Sequence, residues 1–402
     1  MPVSAQVAAF VLTVLAACSL LANFALHWAT RRKLRDRPQS QTGFAPPISI
    51  LKPLCGLDEG LYDNLVSFAL QDYPGFELVF GVADPRDPAL SAVQRLRRSF
   101  PDLPVRIVVG TDREPAVNPK VQNLLRILRV ARHEHVLVSD SNVHVARDYL
   151  LAIAAEMADP TVGLVSNLIA GHGEVSAGAS FENLHLDTVV AGSVSLADSC
   201  GVPCVVGKSM LMRRSELAAL GGLECMRDVL AEDFVIGQRY HAAGYGVVLS
   251  GHRVFTRNRR LAIRAFLARH LRWAQIRRHA APAAFCCEPV VYLTPWLLAL
   301  LAVMVAASPQ LRLQTAIFAL VVSGLRVASD AWLARRLAGR LPALRALAFL
   351  PLKDCAMLTV WAVALVRRTV VWRGHALRIG VGSRVTGASH GEARGLHEHW
   401  VS

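Results

Sequence analysis

VLVSDSNVHV, residues 136–145, decides how this chain is read. Val136, Leu137 and Val138 form an apolar run of strand length, and Asp140, Ser141 and Asn142 break it. One reading is an acidic turn after a buried strand. The other is a metal or phosphate site, because parallel α/β sheets bind ligands beyond the carboxyl ends of their strands.

The surroundings favour such a sheet. ISILKPL (48–54), FELVFGVAD (76–84), VRIVVG (105–110), HVLVSD (135–140), VGLVSN (162–167) and GVVLSG (246–251) read as strands. Leu61–Leu70, Ala89–Phe100, Val121–Arg132 and Tyr149–Ala158 read as intervening helices. Strand–helix alternation predicts an α/β fold with a largely parallel sheet. A second strand-end acid, Asp84, closes FELVFGV, and Asp233 opens a helical pattern in AEDFVIGQRY.

Composition adds a membrane. Of the 402 residues 53% are hydrophobic and only 18% charged, too apolar for an ordinary soluble chain. Val7–Trp28 has no Asp, Glu, Lys or Arg, and RRKLRDR follows it. A bilayer core takes about 20 apolar residues in helix, and basic residues stay on the cytoplasmic side. This predicts an uncleaved anchor over 1–30, a basic linker over 31–47 and a cytoplasmic catalytic unit over 48–257. Val290–Ala307 and Leu313–Trp332 read as a hairpin within a membrane block, 289–366. Pro351, Lys353 and Asp354 interrupt Ala346–Val366, which predicts a re-entrant or interfacial hairpin broken there, with a plain span as the alternative. Residues 367–402 are expected to form a cytoplasmic tail, loose beyond about Gly380.

The net charge of +14 is concentrated beside the membrane block. NRRLAIRAFLARHLRWAQIRRHA (258–280) mixes apolar residues near helical spacing with seven arginines. Within 258–288 this predicts an amphipathic helix at headgroup level rather than a nucleic-acid surface. The eight cysteines form no CxxC pair, so free, mostly buried thiols are expected. GYGVVLSG (244–251) lacks the dinucleotide spacing, GHGEVSAG (171–178) lacks the GK[ST] of a P-loop, and His270 has no carboxylate partner legible in sequence.

The set becomes specific in its order: ILKPLCGLDEGLYDNL (50–65), QDYP (71–74), GVADPRDPA (81–89), NPKVQNL (118–124), SDS (139–141), GKSMLMRRSEL (207–217), LAEDF (230–234), RHLRW (269–273), CEP (287–289) and WRGHALR (372–378). Over most of its length the chain resembles membrane glycosyltransferases of the GT-A fold with an (R/Q)xxRW motif, and among them ceramide glucosyltransferases. The resemblance implies that Asp84 holds the uracil-ribose part of a UDP-sugar and that Asp140 is the metal-linked aspartate. It implies Asp233 as catalytic base and Arg269, Arg272 and Trp273 as holders of the diphosphate and acceptor near the membrane. Lys120 and Lys52 are candidates for donor contacts, with surface lysines beside strands as the alternative.

These roles suit the chemistry. A UDP-sugar has a diphosphate leaving group, and a hard divalent cation, Mg2+ or Mn2+, stabilises charge developing there. The expected reaction is inverting transfer of glucose from UDP-glucose to the primary hydroxyl of ceramide. The element reads Asp140-Ser141-Asn142 rather than Asp-x-Asp, and an amide is a weaker metal ligand than a carboxylate. Two other readings stand beside it: a hopanoid-type lipid N-acetylglucosaminyltransferase and a non-catalytic polybasic membrane-binding protein.

Overall fold

Parallel strands covered on both faces need side chains that are apolar in both directions. β1 (Ile48–Pro53), β2 (Phe76–Val82) and β4 (His135–Ser139) are buried along nearly their whole length, whereas β3 (Val105–Val109) is half-exposed at the sheet edge. Ile48, Ile50, Leu78 and Phe80 pack on one face with Leu61, Leu65, Phe68 and Val93. Leu51, Val79, Val136 and Val138 pack on the other with Val121, Leu124 and Ile127. The architecture was obtained as a computed structural model, which describes residues 2–36, 43–110, 116–372 and 375–388. Part of the expected basic linker, and the expected loose tail from residue 389 on, lie outside the described residues.

Four further strands complete the sheet: β5 (Val143–His144), β6 (Val162–His172), β7 (Ser209–Arg213) and β8 (Gly246–Arg257). The order is β3-β2-β1-β4-β7-β6-β8-β5. β3, β2, β1 and β4 run parallel, as do β6 and β8, while β7 is antiparallel to both β4 and β6. The fold is the expected α/β class with a mainly parallel sheet. β7 was not legible, and it matters, because its register sets Ser209 opposite Ser139 and so brings residue 208 beside residue 140.

Among the described residues two helices, Val3–Arg35 and Arg312–Ala338, are long and apolar enough to cross a membrane. A third candidate is the pair Pro282–Val291 and Leu293–Ala307, bent by 54°. The bend exposes the Val291 carbonyl, which accepts from Asn23 Nδ2 at 2.9 Å and Arg326 Nη1 at 3.2 Å. Arg326 Nε lies 2.9 Å from Asp330, which also meets His27 Nε2 at 3.0 Å. Polar groups at such depth persist only when paired, and these pairs tie three helices together.

The break expected at Pro351–Asp354 lies earlier. A short helix, Leu344–Ala348, ends at Phe349, and Leu350–Val366 continues unbroken. Pro351 falls in its first turn, where a missing N–H costs nothing. Lys353 and Asp354 answer each other at 3.3 Å in the interior. The eight cysteines are unpaired as expected, but none is buried, and Cys18, Cys55, Cys200, Cys286 and Cys287 are exposed.

Candidate active site

The polar stop after β4 is a charged cluster. Asp140 Oδ1 lies 2.9 Å from Lys120 Nζ, and Asp140 Oδ2 lies 3.1 Å from Lys208 Nζ. Lys52, wholly buried on β1, donates to the Asp140 carbonyl at 3.0 Å and to Ser139 Oγ at 3.2 Å, with its ammonium over the Phe68 ring. Burial pushes Lys52 down to about 7, against the opposing pull of Asp140. Burial also opposes the charge on Asp140, yet Lys120 and Lys208 outweigh it and hold the carboxyl well below its usual range.

Local sequence explains how the lysines arrive. Asn118 caps the helix Pro119–Val130: its side chain accepts from the backbone N–H groups of Lys120 and Val121, and Pro119 fills a first-turn position. Lys120 therefore sits in the first turn and reaches the strand ends. The Asn118 amide also donates to Val229 O at 2.8 Å and to Glu232 at 3.2 Å. Lys120 is thus a cluster member and not a surface lysine.

Asp233 stands beside an acid, Glu232, that joins through the same lysine. The helix Glu232–Ala242 begins with two acids, the end where its dipole favours negative charge. Glu232 meets Lys120 at 2.9 Å. Asp233 Oδ2 accepts from Gly207 N at 2.5 Å and Oδ1 from its neighbour Phe234 N at 2.8 Å. A Cβ on residue 207 would lie 2.7 Å from Asp233 Oδ2, so the approach requires glycine. Burial, with Glu232 adding like charge, raises the Asp233 carboxyl to about 6. The segment before it is clipped by the C-terminal strands β9 (Thr369–Trp372), β10 (His375–Ile379) and β11 (Val385–Ala388). Ser383, just before β11, takes the N–H groups of Leu230 at 3.1 Å and Ala231 at 3.0 Å.

Asp84 and the RxxRW residues stand on other elements. Asp84 follows β2 at the same end of the sheet, exposed, and its carboxylate turns back to Arg86 N at 2.8 Å. Arg269, Arg272 and Trp273 lie on the helix Ile263–Ala280. Arg269 Nη1 bonds Glu182 at 2.9 Å and Asn258 at 3.4 Å. His270 does have a carboxylate partner: its Nε2 meets the other Glu182 oxygen at 2.9 Å. Burial would raise Glu182, but His270 and Arg269 prevail and hold it at about 2. The His270 ring also meets the Trp273 ring, centroids 5.1 Å apart. Glu182, Lys208, Gly207 and Glu232 were not singled out from sequence. Gly207 and Lys208 lie in the GKSMLMR stretch and Glu232 in LAEDF, so the signal was present without a role.

A divalent cation implied by such a fold finds a modest donor set. Asp140 offers one carboxylate and Asn142 an amide oxygen, and among the described residues no group of three His, Cys, Asp or Glu side chains is placed to hold a metal. Hard cations that keep water and substrate phosphates as ligands need only one or two carboxylates. A cation already stands there: Lys208 Nζ lies 3.1 Å from Asp140 Oδ2 and 2.9 Å from Asn142 Oδ1. The residues therefore fit a cation between positions 140 and 142.

Residues 11–385 match the model of a family described as Glycosyl transferase family 21. The chain belongs to glycosyl transferase family 21. Similar family members include ceramide glucosyltransferase 1 of Caenorhabditis elegans, 30% identical over 247 residues that make up 61% of this chain and 53% of that protein. Another is the ceramide glucosyltransferase of Gibberella zeae, 24% identical over 342 residues and 63% of each chain. The chain spans about half the length of the C. elegans relatives it matches. Among solved structures, a mannosyltransferase of Pyrobaculum calidifontis in complex with GDP-Man and Mn2+ superposes with a TM-score of 0.56 at 22% identity, over 89% of this chain and 99% of that one. That likeness establishes for this family 21 chain the GT-A fold expected from its sequence.

Proposed function

We propose that the chain transfers glucose from UDP-glucose to the primary hydroxyl of ceramide, inverting the anomeric carbon. The observation that carries this reading is Asp233: a half-buried carboxyl at about 6, fixed by Gly207, whose neighbour Glu232 shares Lys120 with the strand-end Asp140. The ceramide glucosyltransferase names of the relatives support the donor sugar and the lipid.

In this reading Asp233 takes the proton of the ceramide hydroxyl as its oxygen bonds to the anomeric carbon. The bond from that carbon to the diphosphate oxygen breaks on the opposite face, and UDP leaves with its charge facing Lys120 and Lys208. A transition state of oxocarbenium character follows by analogy with glycosidases. A divalent cation, Mg2+ or Mn2+, held by Asp140 and Asn142, would supply further positive charge to the leaving group when bound. Asp84, outside the cluster at the end of β2, takes the uracil-ribose portion. Arg269, Arg272 and Trp273 face the donor and acceptor from the membrane side, and Glu182 keeps Arg269 in place.

The membrane parts belong to the lipid acceptor. Residues 48–257 form the catalytic unit, 258–288 an interfacial segment built on the helix Ile263–Ala280, and 289–366 the membrane block. Basic flanks support a catalytic unit on the cytoplasmic side of a bacterial inner membrane or of a Golgi or endoplasmic reticulum membrane.

Purified full-length protein with a panel of UDP-sugars against ceramide and a hopanoid lipid tests the proposal. β-Glucosylceramide from UDP-α-glucose is the expected product, and Asp233→Asn should lower the rate by at least about 100-fold. A retained α-linkage, transfer only of N-acetylglucosamine to the hopanoid, or an undiminished Asp233→Asn rate would overturn it.

A further inference from the structure

The Asp140-Ser141-Asn142 element has a carboxylate and an amide where two carboxylates would hold a divalent ion. Charge counting makes the exchange meaningful. Two carboxylates balance a dication, and one carboxylate balances one ammonium. The ammonium is present: Lys208 Nζ sits between Asp140 Oδ2 at 3.1 Å and Asn142 Oδ1 at 2.9 Å. It is placed by backbone register and not by a chance rotamer of a loose lysine. β7 pairs Ser209 with Ser139, and the Asp140 N–H donates to the Lys208 carbonyl at 3.3 Å. Its side chain is only 19% exposed and that of Asp140 24%.

The lysines around Asp140 differ in what else they touch. Lys120 is shared between two acids, Asp140 and Glu232, each at 2.9 Å. Lys52 is sealed beneath, on the Asp140 carbonyl and the Phe68 ring. Lys208 has one charged partner and one neutral one, so it is less compensated than Lys120 and, unlike the sealed Lys52, stands open to the strand end. A diphosphate reaching this strand end meets a fixed cation with charge to spare, and ammonium-to-phosphate bonds are of the strong charge-assisted kind.

We infer that Lys208 is the built-in cation of the Asp140–Asn142 element, so that a nucleoside diphosphate binds here without a divalent metal ion. The inference rests on the nucleotide-sugar reading above and goes beyond it. A divalent ion entering the element displaces Lys208 and takes over its role, which makes the metal an addition to nucleotide binding and not its precondition.

Titration calorimetry of UDP against the full chain in nanodiscs tests this, in EDTA and again with Mn2+. The wild-type affinity should agree within about threefold between the two conditions. Lys208→Met should lose at least about tenfold in EDTA and regain affinity with Mn2+, while Lys208→Arg, which keeps a cation, should stay within about threefold of wild type. Thermal melts identical to wild type show that the variants are folded, and the wild-type affinities in EDTA and in Mn2+ decide the inference should Lys208→Met fail to fold. Wild-type binding that appears only with Mn2+, or Lys208→Met binding in EDTA as tightly as wild type, overturns the inference alone. No UDP binding to the wild type under either condition overturns the nucleotide-sugar reading, and this inference with it.

Discussion

Asp233 carries the most demanding role on a single side chain. A general base works only when ionised, and burial has raised this one to about 6. The rate kcat/KM should therefore climb tenfold per pH unit below about pH 6 and level off above it. Asp233→Asn should erase that acidic limb along with most of the activity, which a pH series on the two proteins reads directly. Gly207 is the companion test. Its missing Cβ leaves room for Asp233 Oδ2, which an alanine methyl would approach to 2.7 Å. Gly207→Ala should lower kcat by about 10- to 100-fold through displacement of the base, with the donor KM nearly unchanged.

At the scale of elements, the helix Ala177–His185 and the helix Ile263–Ala280 are joined by a buried carboxylate. Glu182 is fully buried and bridges Arg269 and His270, both inside the RxxRW stretch. Glu182→Ala strands one buried imidazole and one partly buried guanidinium, and should cost about 3 kcal/mol, visible as earlier thermal unfolding. The pH sign follows from the lowered carboxyl. This contribution is complete above about pH 4.5, the range of an unperturbed glutamate, and is lost as pH falls toward about 2. In the membrane block, Arg326 and Asp330 form a buried pair at 2.9 Å, and Arg326 also supports the carbonyl freed at the 54° bend. Arg326→Met alone should be destabilising by about 3 kcal/mol, whereas Arg326→Met with Asp330→Leu should recover most of that, as read in nanodisc melting curves.

Across the whole molecule, legibility followed the hydrophobic pattern. β1, β2 and β4 were readable because their apolar runs end in polar residues at one edge, and that edge carries Lys120 and Asp140. β7 was missed because SMLMR is five residues long and starts and ends polar, and with it went Lys208, the residue its register delivers. The helices over 177–199 were missed for another reason. Ser180, Glu182, Asn183, His185, Asp187 and Thr188 are buried together with Phe181, Leu184, Leu186 and Val189, so the segment is enclosed on every side and its apolar residues do not stand out against a polar outer face. That polar interior is also why the Glu182 partner of His270 stayed hidden: the two are 88 residues apart in the chain. Asp233 was legible as a helix-start acid, but its closeness to Gly207 is tertiary and has no local signal.

The account as a whole requires one diphosphate, two lysines and one base to meet at the end of β4. A structure of the full chain in nanodiscs with UDP and ceramide measures that meeting most directly. The account predicts the diphosphate against Lys120 and Lys208, with the Asp233 carboxylate within about 3 Å of the ceramide primary hydroxyl. A diphosphate seated away from both lysines, or a ceramide hydroxyl turned toward some other side chain, would contradict it.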